Sequence, residues 1–148
     1  MQNNRKSETR RFFDDKSNIW DKNYLDKNNP IAKRSRNFYE HIRSFSDKNL
    51  KILDVGCGTG EISAYLHDKG NYLTSLDISQ FMLEKASSRF LDKSIEWIQI
   101  EESGNLPLAN SIFDVVIISS VLEYHNNPKL LISESYRVLK KNGLLIFT

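Results

Sequence analysis

The chain has 148 residues, of which 39% are hydrophobic and 27% are charged, and its formal net charge is +2. These values are ordinary for one globular domain with a single hydrophobic core. The longest apolar run, at 115–118, is far too short to span a membrane. Cys57 is the only cysteine, which excludes an internal disulfide and any CxxC motif for metal or redox chemistry.

The amino terminus carries positive charge, but no apolar segment follows it, so neither a secretory signal nor a membrane anchor is visible. A chain with a single cysteine also suits a reducing compartment. We therefore predict a cytoplasmic protein that does not associate with membranes and holds no metal.

Residues 1–49 are polar and rich in asparagine. Apolar and aromatic residues recur there at helical spacing in two groups: Trp20 with Tyr24, and Phe38 with His41, Ile42 and Phe45. This spacing predicts two helices ahead of the main domain, as a lid or cap. Trp20 and Tyr24 are consistent with a lid or with packing of the helix core.

The first 50 residues hold 12 of the 21 basic residues and 7 of the 19 acidic ones, and the densest basic stretch is "KRSR" at 33–36. A basic arm of this kind could bind an anionic partner. Acidic residues are interleaved with the basic ones, however, and there are no tandem basic blocks. The pattern therefore favours a solvated helical face over a nucleic-acid interface.

From Leu50 onward, short apolar runs alternate with segments of helical periodicity. We predict five strands, at 50–55, 71–79, 94–100, 113–120 and 144–148, and three helices, at 61–70, 80–90 and 128–143. Ser79 is expected to cap the second of these helices, and Asn142-Gly143 to end the third. The alternation predicts an α/β fold: a doubly wound, parallel sheet with helices on both faces.

Three of the six glycines fall at every second position in "LDVGCGTG", directly after the first predicted strand. In doubly wound sheets the ligand lies outside the carboxyl ends of the strands, where glycine lets the backbone turn tightly and approach the ligand. Asp77 lies 21 residues after Gly56, at the end of the second strand. A carboxylate at this spacing is suited to a ribose diol.

Charge favours one class of nucleoside cofactor. Glu61 falls in the first turn of the helix after the glycines, where it would repel a pyrophosphate. The spacing is G-x-G-x-G, and no G-x-x-x-x-G-K-[ST] motif is present. An adenosine compound without phosphate but with a sulfonium and an ammonium group fits better, because Asp54 and Glu61 are negative. That compound is S-adenosylmethionine.

Four stretches, taken in order and spacing, resemble the class I S-adenosylmethionine-dependent methyltransferases of the small-molecule type: "LDVGCGTG", "LDIS" with "FMLEKA", "LPLANSIFDVVIISSVLEY" and "YRVLKKNGLLIFT". The resemblance covers residues 50–148. It implies a Rossmann-like fold and methyl transfer by direct displacement from S-adenosylmethionine to a small-molecule acceptor. In that chemistry the protein supplies proximity and orientation, so a missing base is no objection.

The resemblance also implies a role for each matching residue. The backbone of Gly56, Cys57, Gly58 and Gly60 would contact the methionyl part of the cofactor. Asp54 would lie near the methionyl amino group. Asp77 would bind the ribose hydroxyls, and Ile78 would pack on the adenine ring. The adenine amino group would meet Glu102, or Glu101 if the register differs by one, and Ser103 would be the next cofactor-binding residue. Ser119 and the residues after it, up to Glu123, would close over the methionyl end.

No catalytic residue stands out. Tyr124 and His125 follow the fourth strand, where a substrate would lie, and His125 is a candidate general base or a residue that merely lines the loop. Cys57 could be a nucleophile, but its place between glycines favours a small packing residue.

The family's sheet normally has seven strands, whereas this sequence ends at the fifth, so we expect the domain at 50–148 to be incomplete at its carboxyl end. An unpaired hydrophobic edge is rarely left exposed. A longer chain, a partner chain or a homodimer would cover it. Two other functions stay open: a truncated or inactive cofactor-binding module, and a nucleic-acid methyltransferase. The second is disfavoured because "SSVLEY" replaces the [DNS]PP[YFW] element of DNA amino-methylating enzymes.

Overall fold

The computed structural model describes residues 7–20 and 29–148. Two helices, α1 (Glu8–Trp20) and α2 (Pro30–Phe45), come first. The strands are β1 (Lys51–Val55), β2 (Tyr72–Asp77), β3 (Ile95–Gln99), β4 (Phe113–Ile118) and β5 (Leu139–Phe147). The helices between them are α3 (Glu61–Asp68), α4 (Gln80–Arg89) and α5 (Pro128–Val138), and a short 3-10 turn, Leu122–Tyr124, follows β4. Within the described ranges no helix has the length and apolarity needed to cross a membrane.

The five strands form one sheet in the order β3-β2-β1-β4-β5, and every neighbouring pair is parallel. The chain moves outward from β1 to β3, then returns and continues outward on the other side through β4 and β5. The strand order therefore reverses beside β1, which is where ligands bind in folds of this type. The predicted α/β, doubly wound architecture is confirmed.

Each face of the sheet has its own hydrophobic core. On one face Ile52, Val115 and Ile117 pack with Phe38 and Ile42 of α2 and with α3. On the other face the strands pack against α5 through Leu131 and Val138. Residues 115–118 of β4 are fully buried, as expected for a strand covered on both sides.

The helix starts follow the capping rules. The Ser79 side chain accepts a hydrogen bond from the backbone N–H of Met82, which confirms it as the cap of α4. Asn29 and Asn127 cap α2 and α5 in the same way, and a proline follows each of them. The predicted partner of Trp20, Tyr24, lies outside the described residues.

The predicted end of α5 was wrong. The helix stops at Val138, because Leu139 is buried and pairs with Phe113 at the start of β5. The Asn142-Gly143 pair lies inside β5, where the register jumps so that Leu144 pairs with Val115. Asn142 has a φ of +62°, so one residue of the pair is left-handed, but it lies within a strand instead of ending a helix.

Arg137 of α5 holds the loop between β3 and β4. Its guanidinium donates to both carboxylate oxygens of Glu134 and to the backbone oxygens of Leu106 and Leu108. Glu134 also accepts from the N–H of Leu106, and the hydrogen bond from Arg137 is the main reason that the pKa of Glu134 falls to about 2.

We expect Arg137→Met to lower the free energy of unfolding by about 1–2 kcal/mol, because two backbone carbonyls and one carboxylate lose their donors. Urea denaturation at neutral pH measures the change. Lys129→Met, on the exposed start of the same helix, is the matched control. Equal stability of the two variants would contradict the anchoring role.

Candidate active site

A cavity of about 370 Å³ lies at the carboxyl ends of the central strands. The loops after β1, β2, β3 and β4 form its floor and sides, and residues of α1 and α2 form its remaining wall. Nine of the predicted site residues line it, namely Gly56, Cys57, Gly58, Asp77, Ile78, Glu102, Ser119, Tyr124 and His125. Asp54, Gly60 and Ser103 do not.

The glycine loop turns through left-handed conformations. Gly56, Gly58 and Gly60 have φ angles of +74°, +54° and +85°, and the N–H groups of Gly56 and Cys57 both donate to the carbonyl of Leu76. A Cβ on Gly56 would lie 2.2 Å from Cγ2 of Val121, whereas a Cβ on Gly58 would meet, within residues 7–20 and 29–148, only Nε1 of Trp20, at 4.0 Å. Gly58 therefore presents bare backbone to the cavity.

Asp77 is held at the end of β2 by the backbone. Its Oδ2 accepts from the N–H of Gly58, and its Oδ1 accepts from the N–H of Ser79, both at 2.8 Å. Each carboxylate oxygen keeps a further lone pair for a ligand hydroxyl. Burial raises the pKa of Asp77, although the hydrogen bonds from Ser79 and Gly58 act against the rise.

Asp54 lies beneath the loop and has no surface in the cavity. It is fully buried, and its Oδ2 accepts from the hydroxyl of Ser63 at 2.6 Å, while Ser63 also bonds to Ser75. Oδ1 has no hydrogen-bond partner in the part of the chain that the structure describes. Burial raises its pKa from 3.8 to about 7. Any effect of Asp54 on a ligand would therefore act through charge and not through contact.

Glu61 reaches the cavity wall, but its charge is already compensated. Its carboxylate accepts from the hydroxyl of Thr59 and forms an ion pair with Arg89. The predicted repulsion of a phosphate by Glu61 is therefore weaker than the sequence suggests. The sequence shows Glu61 in the first turn of a helix but not that α4 brings Arg89 beside it.

The loop after β3 contributes a second carboxylate. Oε1 of Glu102 is buried and has no hydrogen-bond partner among the described residues, so an acceptor is left open at the cavity. Ile78 lines the cavity after β2. Ser103 instead accepts from the N–H of Asn105 and is exposed.

Arg34 is a site residue that the sequence did not indicate. It lies on α2, lines the cavity, and donates from Nη1 to the hydroxyls of Ser119 and Ser120 at 3.0 and 2.9 Å. Within the described part of the chain no carboxylate pairs with it. Lys33 and Arg36 beside it are exposed, so the basic stretch is a solvated face with one side chain turned inward.

Helix α1 lies across the cavity. Thr9, Phe13 and Trp20 line it, and Phe13 packs edge-on against Tyr124, with 5.3 Å between ring centroids. Polar contacts fix the helix to the sheet domain: Arg10 donates to the carbonyl of Ile100, Ser79 to Asp14, and Lys85 to the carbonyl of Ser17.

The two reactive candidates differ in their surroundings. Burial raises the pKa of the Cys57 thiol well above its ordinary value, which keeps it protonated and disfavours a nucleophilic role. His125 lines the cavity, and its Nδ1 accepts from the N–H of Asn127 at 2.9 Å. Among the residues that the structure describes, no group of three or more His, Cys, Asp or Glu could hold a metal ion.

The known proteins to which the chain is similar in sequence are methyltransferases. A family model described as a methyltransferase domain matches residues 53–147. The chain is 33% identical over 103 residues to a malonyl-[acyl-carrier protein] O-methyltransferase of Pectobacterium atrosepticum, covering 66% of this chain and 38% of that protein. It is 35% identical over 95 residues to a ubiquinone/menaquinone biosynthesis C-methyltransferase of Desulfotalea psychrophila, covering 63% and 38%.

Comparison of the fold with solved structures also identifies methyltransferases. The crystal structure of an S-adenosylmethionine-dependent methyltransferase from Mesorhizobium loti superposes with a TM-score of 0.65 at 27% identity, over 74% of this chain and 51% of that one. The chain spans 38% of the length of these two curated relatives. The family predicted from the four sequence motifs is thus confirmed, and the chain belongs to the class I S-adenosylmethionine-dependent methyltransferases.

Proposed function

We propose that the chain binds S-adenosylmethionine in the 370 Å³ cavity and transfers its methyl group to a small molecule. The observation that carries the proposal is the arrangement of polar groups around bare backbone. Gly58 presents main chain to the cavity, Asp77 offers two acceptors for a ribose, and Glu102 has an open acceptor for an amino group. The two relatives described above are both named as methyltransferases, which supports the assignment.

Each part of the cofactor has a counterpart. Backbone at Gly56, Cys57 and Gly58 would hold the methionyl part, Ile78 the adenine ring, and Arg34 the methionyl carboxylate. Arg34 suits that role because guanidinium binds carboxylate strongly and because it is already fixed by Ser119 and Ser120, at the end of the strand beside the glycine loop. When bound, the cofactor supplies an activated methyl group on a sulfonium.

The role of the protein is then to orient the cofactor and the methyl acceptor and to exclude water. Helix α1 would act as a lid, since Phe13 and Trp20 face the cavity and three polar contacts hold the helix over it. We also infer a cytoplasmic location and no stable interaction with nucleic acid. In support, the basic residues beside Arg34 are scattered over an exposed helical face.

The proposal is tested by calorimetric titration with S-adenosylmethionine, S-adenosylhomocysteine and a nicotinamide dinucleotide. We expect saturable binding of the first two and none of the third. Binding of the dinucleotide alone would overturn the assignment. Binding of S-adenosylmethionine without transfer of its methyl group to any acceptor would favour the inactive binding module.

Replacing Arg34 by methionine should weaken binding of S-adenosylmethionine by about 10- to 100-fold, because a charge-assisted hydrogen bond is lost at similar side-chain length. Arg36→Met is the matched control on the exposed face of the same helix and should bind as the wild type does. An Arg34→Met variant with unchanged affinity would show that the guanidinium does not contact the cofactor.

A further inference from the structure

The orientation of the His125 ring is fixed by the backbone of the following helix. Its Nδ1 accepts a hydrogen bond of 2.9 Å from the N–H of Asn127. Asn127 is itself the cap of α5, with its Oδ1 accepting from the N–H of Leu130 at 3.1 Å. The imidazole is therefore tied to the start of a helix that packs on the sheet.

This contact decides which ring nitrogen carries the proton. A backbone N–H can only donate, so Nδ1 must offer a lone pair, and the one proton of the neutral imidazole lies on Nε2. The Cε1–Nε2 edge lies over Gly104, where a Cβ would be 2.8 Å from Cε1 and 3.1 Å from Nε2. None of the described residues accepts a hydrogen bond from Nε2.

A ring in this state donates from Nε2 and cannot take a proton there. The charged imidazolium donates from Nε2 as well. The ring therefore supplies a hydrogen-bond donor to the cavity in both protonation states, whereas a general base would need a free lone pair at the same atom.

We propose that the Nε2–H of His125 binds a carboxylate oxygen of the methyl acceptor, so that the enzyme methylates a carboxylic acid on oxygen. This inference rests on the proposed function. A carboxylate suits the site because it accepts a hydrogen bond and has no proton to lose, whereas a protonated amine would need a base that His125 cannot be. The aromatic rings of Phe13 and Tyr124, which pack against each other and line the same cavity as His125, give the acceptor an apolar wall.

The chemical step balances without proton transfer. A lone pair of the carboxylate oxygen forms the new bond to the methyl carbon, and the bond from that carbon to sulfur breaks. The electron pair of the broken bond stays on sulfur, which becomes a neutral thioether. The proton on Nε2 stays where it is and keeps the second carboxylate oxygen in place.

The tautomer can be measured without an acceptor. Long-range ¹H–¹⁵N correlation spectra of the full chain near neutral pH report which imidazole nitrogen is protonated. The chain has three histidines, and the signals of His125 are those missing from His125→Gln. We expect the Nε2–H tautomer, and an Nδ1–H tautomer would overturn the proposal.

The acceptor class is tested with methyl-labelled S-adenosylmethionine and three panels of small molecules: aliphatic carboxylic acids, phenols and primary amines. We expect label in methyl esters of acids. Methylation of amines or phenols only, or of none of the three panels by a protein that binds S-adenosylmethionine, would overturn this inference. Failure to bind S-adenosylmethionine would instead overturn the proposed function.

Two variants of His125 distinguish hydrogen-bond donation by Nε2 from a purely structural role of the side chain. Asparagine can keep an acceptor near Nδ1 but has no donor at the position of Nε2, whereas glutamine reaches that position with its amide. We expect His125→Asn to lower kcat/KM for the acid about 10- to 100-fold, mainly through KM, and His125→Gln to recover most of that loss. His41→Gln, on an exposed part of α2, is the control. Equal loss in both His125 variants, or a loss of affinity for S-adenosylmethionine in both, would contradict the assignment.

Discussion

Gly58→Ala is expected to abolish cofactor binding while leaving the protein folded. Among the described residues, a Cβ at this position would meet no atom closer than Nε1 of Trp20, at 4.0 Å, and it would occupy the part of the cavity where we propose that the cofactor contacts the main chain. The left-handed φ of +54° adds about 1–2 kcal/mol of strain. We expect affinity for S-adenosylmethionine to fall at least about 100-fold by calorimetry, with a cooperative urea transition retained.

Gly56→Ala, in contrast, should lower the stability of the fold itself. Its Cβ would lie 2.2 Å from Cγ2 of Val121, so the loop after β4 must shift and the folded protein itself is destabilised. Adding Val121→Ala removes that collision, because the next nearest atom, Cβ of Val121, is 3.5 Å away. The double variant should therefore regain stability, leaving only the strain of the left-handed backbone.

Gly70→Ala is the control for a loss of stability that does not involve the cavity. It has a φ of +89°, but it lies at the end of α3, away from the cavity, and its Cβ would meet the side chain of Asn49 at 3.1 Å. It should lose stability and keep its affinity for S-adenosylmethionine. If Gly58→Ala bound the cofactor as tightly as Gly70→Ala does, the glycine loop would not be the cofactor surface.

The sequence was sufficient for the sheet because its signals are local. Apolar runs, the cap at Ser79 and the glycine turn each specify a few consecutive residues, and the alternation of strands with helices then implies a parallel sheet with right-handed crossovers. The boundary error at α5 has the same origin. Asn142-Gly143 is a local signal for the end of a helix, but the pairing of Leu139 with Phe113, which is distant in sequence, decides that the strand has already begun.

The polar contacts in the wall of the site could not be predicted, because they join segments that are distant in sequence. Arg34 meets Ser119 across 85 positions of sequence, and Arg10 meets Ile100 across 90. In the sequence, Arg34 is one of several basic residues on a polar helix. The same limitation applies to charge: Glu61 is compensated by Arg89 from another helix, and Asp54 is directed toward Ser63 and away from the cavity.

The buried Asp54 should make the ligand-free protein less stable as pH rises. Loss of hydration on burial is the largest cause of its raised pKa, followed by the hydrogen bond from Ser63, which lowers it, and by repulsion from Asp77 and Glu61. A carboxyl whose pKa is 3.8 when unfolded and about 7 when folded favours folding while protonated. That contribution is complete below the unfolded pKa and is lost as pH rises through the folded pKa.

Between about pH 5 and pH 8 the loss amounts to about 2–3 kcal/mol in the free energy of unfolding. Urea denaturation across this range measures it. Asp54→Asn keeps an oxygen for Ser63 without a titrating charge, so its stability should change much less with pH. Asp114→Asn is the control, because the pKa of Asp114 is lowered and removal of this group leaves the slope in place. A slope as steep in Asp54→Asn as in the wild type would contradict this account.

The buried carboxylate of Asp54 also affects which ligands stabilise the protein. Above about pH 7 Asp54 is mainly ionised under the glycine loop, with Asp77 nearby and with no hydrogen-bond partner for Oδ1 among the described residues. A cation in the cavity lowers the energy of that charge, whereas a neutral ligand does not. S-adenosylmethionine should therefore stabilise the protein more than an uncharged thioether of adenosine does. This difference between the two ligands should be larger at pH 8 than at pH 6, and Asp54→Asn should remove its dependence on pH.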